Sequence, residues 1–205
     1  MFNLQDFFLS LLFAIVFTPV YQVKAQLIPD NTLGKESSLV NSINSLEDRI
    51  DGGAIRGTNL FHSFQEFSIG NARSVYFSNP SQIQNILTRV TGNNQSQILG
   101  KLGVMGNANL FLINPKGIIF GKDASLDING SFVGSTASFI DFIDGTEFSA
   151  VAADKPFLTI STPLGLGLDN PGEIKVQGEG NRLSTNRLAV PFRDNGTKAL
   201  EVNPV

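Results

Sequence analysis

The sequence predicts an all-β chain of short strands. Solenoid, sandwich and barrel are the candidate architectures, and three observations favour a parallel β-helix. First, the links between strands are short, as at Asn114-Pro115-Lys116-Gly117 and Asn129-Gly130. Successive strands of a solenoid meet at bends, so links of this length need no hairpin. Second, asparagine is frequent at the links: Asn79, Asn93, Asn94, Asn107, Asn109, Asn114 and Asn129. Asn tolerates the left-handed conformation and can stack into ladders along a solenoid corner. Third, Gly130, Gly134 and Gly145 punctuate the stretches Ser131-Phe132-Val133 and Phe139-Ile140-Asp141-Phe142-Ile143-Asp144. No strict period emerges, so the pattern is weaker than in regular repeat families.

Taken in order, the chain opens with the apolar run Phe7 to Phe17, too short to cross a bilayer as a helix. Pro19 and then Val23-Lys24-Ala25 follow, a small-residue cleavage pattern. Residues 1–25 are expected to be a secretory signal peptide cut between Ala25 and Gln26. Its amino-terminal region is atypical, with Asp6 and no early basic residue, which leaves an uncleaved anchor as the rival reading. Residues 26–205 are expected to form one domain. Strands are expected at Ala54-Ile55, Asn59 to Phe61, Phe67 to Ile69, Val75 to Phe77, Ile86 to Val90, Gln97 to Leu99, Ala108 to Ile113, Ile118 to Phe120, Ser125 to Ile128, Ser131 to Val133, Leu158 to Ile160, Glu173 to Val176 and Ala199 to Val202. The one helical candidate is a short turn over Ser81 to Leu87, opened by Pro80. The final segment, Ala199 to Val205, reads as the start of a further coil, so the domain is expected to be truncated at its C-terminal end.

The most informative segment runs from Gly106 to Gly121. An apolar strand enters Asn114-Pro115-Lys116-Gly117 and resumes at Ile118-Ile119-Phe120. Pro115 has no N–H and is unsuited to the interior of a paired strand. Gly117 supplies freedom at the corner, and Asn114 can bond its side chain back to nearby backbone.

This segment resembles the NPNGI signature of the haemagglutination-activity, or two-partner-secretion, domain of large bacterial exoproteins such as filamentous haemagglutinin. Lys116 stands where the family usually has Asn. Four further segments carry the same resemblance in the same order: Gly57 to Ile69, Arg89-Val90-Thr91-Gly92, Gln97 to Leu102, and Gly130 to Ala137. The style is closest to cyanobacterial members. The family's other hallmark, NPNL, is reduced to Asn79-Pro80. The resemblance implies a right-handed β-helix with short extra-helical strands. It also implies a secretion-targeting module, with Asn114 to Ile118 as secretion motif and Asn79-Pro80 as a second. Implied partners are the Sec machinery and an outer-membrane β-barrel transporter with periplasmic POTRA domains; the product is secreted or held at the cell surface.

Composition narrows the other classes. With 15 Lys+Arg against 18 Asp+Glu, the chain gives no electrostatic case for nucleic acid. There is no cysteine, so stability must come from backbone ladders and packing. His62, the only histidine, is read as a core residue between Phe61 and Phe64 rather than a general base. Asp141, Asp144 and Glu147 match no calcium-loop spacing and are read as a solvated turn. No metal, cofactor or catalytic residue is expected. Two alternatives remain beside the secretion module: a surface adhesin, and a carbohydrate-active β-helix enzyme. Charged residues are only 16% of the chain, and no adjacent acidic pair falls within an expected strand, which disfavours the enzyme.

Overall fold

The computed structural model describes residues 26–151 and 158–178. The proposed signal peptide with its Ala25 junction, and the expected strand at Ala199 to Val202, lie outside the described residues. Among the described residues the fold is all-β, a parallel solenoid of about three turns.

Three parallel ladders build it. The first joins β3 (Glu47–Gly52), β6 (Ser74–Ser78), β9 (Lys101–Met105) and β12 (Ser125–Asp127). The second joins β5 (Asn59–Ser68), β7 (Asn85–Val90), β10 (Asn109–Ile113) and β13 (Phe132–Ser135). The third joins β8 (Ser96–Ile98), β11 (Ile118–Phe120) and β17 (Ile174–Val176).

Antiparallel strands close the N-terminal end. β2 (Ser38–Asn44) covers the edge of β3. β4 (Ala54–Arg56) and β1 (Gln26–Pro29) lie along the first and second halves of β5. Between β13 and β17 the chain leaves the solenoid and forms a separate antiparallel sheet, with β14 (Phe139–Phe142) between β15 (Glu147–Ser149) and β16 (Pro163–Gly167).

Two cores result. The solenoid interior contains Leu60, Phe64, Phe77, Ile86, Leu102, Leu110 and Leu112. The second core lies between the outer face of the β5–β7–β10 sheet and the extra-helical sheet; it holds Phe61, Leu87, Ile113, Ile140, Phe142 and Phe148. In β7, Ile86 points inward and Leu87 outward, yet both are fully buried. A sheet covered on both faces needs apolar residues at consecutive positions. This explains the almost unbroken burial of Asn59–Ser68.

An asparagine ladder runs along the corner before the second set of strands. Asn85 Nδ2 donates to Asn59 Oδ1 (3.1 Å) and Asn109 Nδ2 to Asn85 Oδ1 (3.0 Å). Asn109 Oδ1 accepts from the Ser131 amide (2.9 Å). The steps between these residues shorten from 26 to 24 to 22. The contraction accounts for the lack of a strict period in the sequence.

Two expectations fail. Ser81 to Leu87 forms no helical turn: a tight turn closes with Ile83 N donating to Pro80 O (2.9 Å), and β7 begins at Asn85. Ile83 and Ile86 are drawn into the interior, and β7 satisfies its backbone on two neighbours at once. Leu158 to Ile160 is not a strand. A side chain takes one of its carbonyls and that of the next residue, Asn59 Nδ2 donating to Thr159 O (3.2 Å) and Ser161 O (2.7 Å).

Candidate functional site

The Asn114-Pro115-Lys116-Gly117 corner links β10 to β11 and is packed between successive layers of the solenoid. Asn114 is fully buried and saturated with hydrogen bonds. Its Nδ2 donates to Asn94 O (3.0 Å) and Ser96 Oγ (3.0 Å) in the coil beneath. Its Oδ1 accepts from the Lys116 amide (2.9 Å), and Gly117 N donates to Asn114 O (3.0 Å), so the side chain shapes its own turn. From above, Gly172 N donates to Pro115 O (2.9 Å) and Ile118 N to Glu173 O (3.0 Å).

Gly117 has φ +124°, and a Cβ there would lie 2.8 Å from both Gln95 Nε2 and Glu173 O. Only glycine fits both the conformation and the space. Pro115 and Ile118 are buried; Lys116 alone of the five faces solvent. Asn79-Pro80 makes a second stacked corner, between β6 and β7. The Asn79 amide, oriented with its oxygen toward the next coil, accepts from the Asn107 and Ala108 amides, each at 3.1 Å.

Sequence reasoning missed a third cluster, and it explains the Arg89-Val90-Thr91-Gly92 segment. Arg89 is fully buried. Its Nε donates to Ser63 Oγ (2.8 Å), Nη2 to Thr32 Oγ1 (2.6 Å), and Nη1 to Ser149 O. The guanidinium lies 4.6 Å from the Phe148 ring centroid, in cation–π contact.

The two hydroxyls that accept from Arg89 donate onward to one carboxylate. Thr32 Oγ1 donates to Asp30 Oδ1 (2.6 Å) and Ser63 Oγ to Asp30 Oδ2 (2.8 Å). Thr91 Oγ1 also donates to Asp30 Oδ2 (2.6 Å). Burial works against the Asp30 charge, but these hydrogen bonds outweigh it and hold the carboxyl below its ordinary range. Burial draws the Arg89 guanidinium down to about 10, against the pull of Asp30, so it stays charged at neutral pH. Val90 is core, and a Cβ on Gly92 would sit 2.0 Å from Gln65 O. Each residue of the four thus has its own structural requirement. The available clue was a basic residue embedded in a strand otherwise suited to burial.

His62 lies in the interior beside Phe77, with ring centroids 5.2 Å apart, and Nδ1 is 3.0 Å from Ser38 Oγ. Ser63 points to the opposite face, as expected of neighbours in a strand. The acidic residues near Gly145 do different work. Asp144 Oδ1 accepts from Thr146 N (3.1 Å) and Oγ1 (2.7 Å), and Oδ2 from Ser161 Oγ (2.7 Å). These bonds, with one from Thr159, hold its pKa well below the usual carboxylate value. Asp144 thereby pins the loop ahead of β16 to the turn after β14. Asp141 and Glu147 face one another across β14 and β15. Among the described residues no group of three or more His, Cys, Asp or Glu side chains is arranged to hold a metal.

Comparison with known proteins agrees with this architecture. A segment of 69 residues is 38% identical to the heme/hemopexin-binding protein of Haemophilus influenzae Rd, covering 34% of this chain and 7% of that protein. A second heme/hemopexin-binding protein of Haemophilus influenzae is 36% identical over 67 residues, 33% of this chain and 7% of its own length. The match therefore spans a small part of these much longer relatives. Residues 25–197 match the family described as the TPS secretion domain. That match embraces the solenoid, both Asn-Pro corners, the Arg89 cluster and the extra-helical sheet, and it establishes that the chain belongs to the two-partner-secretion domain family.

Proposed function

We propose that this module directs its own export and is read by its transporter before it folds. The observation that carries this reading is the burial of the Asn114 corner. Asn114 is 0% exposed, and every polar atom of its side chain is taken by the module itself. A partner cannot contact Asn114, Pro115 or Ile118 in the folded state without dismantling the coil. Either the motif serves folding alone, or it is recognised in an extended chain.

The proposed route begins with a signal peptide over residues 1–25, delivery by the Sec machinery and cleavage between Ala25 and Gln26. POTRA domains of a cognate outer-membrane transporter then bind extended segments of the chain. Strand addition to a sheet edge suits this step, because main-chain hydrogen bonds provide affinity without a folded surface. Folding outside the cell yields the β-helix, secreted or retained at the surface. Parallel pairing between distant residues is slow to form, which favours an open chain during transit. The heme/hemopexin binding named in the relatives is not carried over, because the match spans only 7% of their length.

Export of residues 1–205 with and without the cognate transporter tests the proposal, with medium and periplasm compared for the natural sequence and for Asn114→Ile. The expected outcome is transporter-dependent appearance in the medium, reduced in the variant. Equal release without the transporter, or folded protein accumulating in the periplasm, would refute it.

A further inference from the structure

The Arg89 cluster joins three parts of the chain that are far apart in sequence. Asp30 and Thr32 belong to the segment after β1; Ser63, Arg89 and Thr91 belong to the solenoid; Ser149 and Phe148 belong to the extra-helical sheet. The guanidinium is the polar link between residues 30 and 149. A second contact joins the same parts. Leu33, only 4% exposed, belongs to the same outer core as Phe61, Leu87 and Phe148.

We infer that Arg89 is a latch that makes docking of the N-terminal segment and docking of the extra-helical sheet mutually dependent. With either partner absent, the outer face of β7 is open and the guanidinium is solvated. Covering it removes that water, which is unfavourable unless every donor finds an acceptor. The sheet supplies Ser149 O and the Phe148 ring. The N-terminal segment supplies Thr32 Oγ1 directly, and Asp30 orients and polarises both accepting hydroxyls. Neither set alone satisfies the buried cation, so each docking event favours the other. For a chain emerging N-terminus first, the segment around Asp30 stays unlocked until Ser149 is outside. That consequence rests on the export reading; the latch itself is tested on refolded protein, so either can fail without the other.

The chain has no cysteine, so single cysteines report opening by their rate of thiol labelling in the refolded full chain. Leu33→Cys reports on the N-terminal segment, Ala150→Cys on the extra-helical sheet and Val75→Cys on the solenoid interior; all three sites are buried. Asp144→Ala, which loosens the extra-helical sheet away from Leu33 and Arg89, is expected to speed labelling at position 33 roughly tenfold, and Asp30→Asn to do the same at position 150, because coupling between sites is reciprocal. Both cross-effects should fall below about twofold when Arg89→Met is added, while position 75 stays protected. Arg89→Lys serves if Arg89→Met does not fold: it keeps the charge without the planar fork and should weaken both cross-effects. The inference is overturned if each substitution acts only on its own side, if the cross-effects survive loss of Arg89, or if position 75 labels in step with the other two.

Discussion

Replacing Asn114 with alanine removes three hydrogen bonds from a buried corner: those to Asn94 O, to Ser96 Oγ and from the Lys116 amide. Each is worth about 1 kcal/mol net, so the loss should be about 3 kcal/mol. That corresponds to a fall on the order of 100-fold in the folding equilibrium constant. For a domain of this size it means a drop of roughly 6–12 °C in Tm. Urea unfolding followed by far-UV circular dichroism measures it, with an unchanged m value showing that both end states are intact. Lys116→Ala is the control. Its side chain is exposed in the same turn, and it should change stability by less than about 0.5 kcal/mol. If Asn114→Ala also stays within about 0.5 kcal/mol of the natural protein, the corner contributes nothing through these bonds and the reasoning fails. Export then separates the motif's two roles. A variant equally destabilised elsewhere should be exported better than Asn114→Ala if the transporter reads the corner itself, and equally well if the corner acts only by folding.

Three further predictions address other parts of the module. Asn85→Ala removes a bond to Asn59 and one from Asn109, and should cost about 1–2 kcal/mol by the same urea measurement. Gly92→Ala places a methyl group against Gln65 O; a backbone collision in a packed coil should cost about 2 kcal/mol or more and lower Tm accordingly. Burial lowers the His62 imidazole to about 3 from its ordinary 6.5, with Asp51 opposing weakly, so below pH 6.5 the unfolded chain binds a proton that the folded protein refuses. Stability from this residue is complete above pH 6.5 and is lost as pH falls toward 3, at up to about 1.4 kcal/mol per pH unit. His62→Gln should flatten the stability profile between pH 6.5 and 4, because the stability supplied by the depressed carboxyls of Asp30, Asp51 and Asp144 is present above their ordinary value of 3.8 and is lost only as pH falls through and below it.

The legible parts of the sequence are those where one residue serves one local need. Asn114, Pro115 and Gly117 announce a corner, and Asn114 does shape its own turn. Apolar runs such as Ile86 to Val90 and Ile118 to Phe120 fall on strands. Of the N-terminal strands Ala54-Ile55 was anticipated, but β1, β2 and β3 were missed because most of their residues are polar or at least partly exposed. β3 reads Glu47-Asp48-Arg49-Ile50-Asp51-Gly52, a charged stretch on apolar counting. In the fold, Arg49 pairs with Asp51 (2.8 Å) on the outer face, while Asp48 turns toward Arg73. Asparagine stacking was anticipated and Asn109 takes part, but Asn59 and Asn85 were overlooked. Steps of 26, 24 and 22 residues carry no repeat that a fixed period would find. The Arg89 cluster was illegible for a deeper reason. Its partners lie 57 residues before it at Thr32 and 60 residues after it at Ser149, and only the closed fold brings them together.

These spacings also bear on how a buried motif can act as a targeting signal. Each parallel ladder pairs residues more than twenty positions apart, as Asn59 with Asn85 and Asn85 with Asn109. The first coil therefore has no parallel partner until the second one arrives. Its first available antiparallel partners are the N-terminal strands β1, β2 and β4. Those strands can begin the stack but leave the Asn114 corner unmade. Its donors reach back to Asn94 and Ser96, and its cover comes from Gly172 and Glu173. In the order of synthesis the corner is thus completed only after the extra-helical sheet has been made. A corner covered this late stays open to a partner longer than one completed within its own coil. The hydrogen bonds that hide Asn114 in the finished module are compatible with its being read earlier by a transporter that binds extended chain.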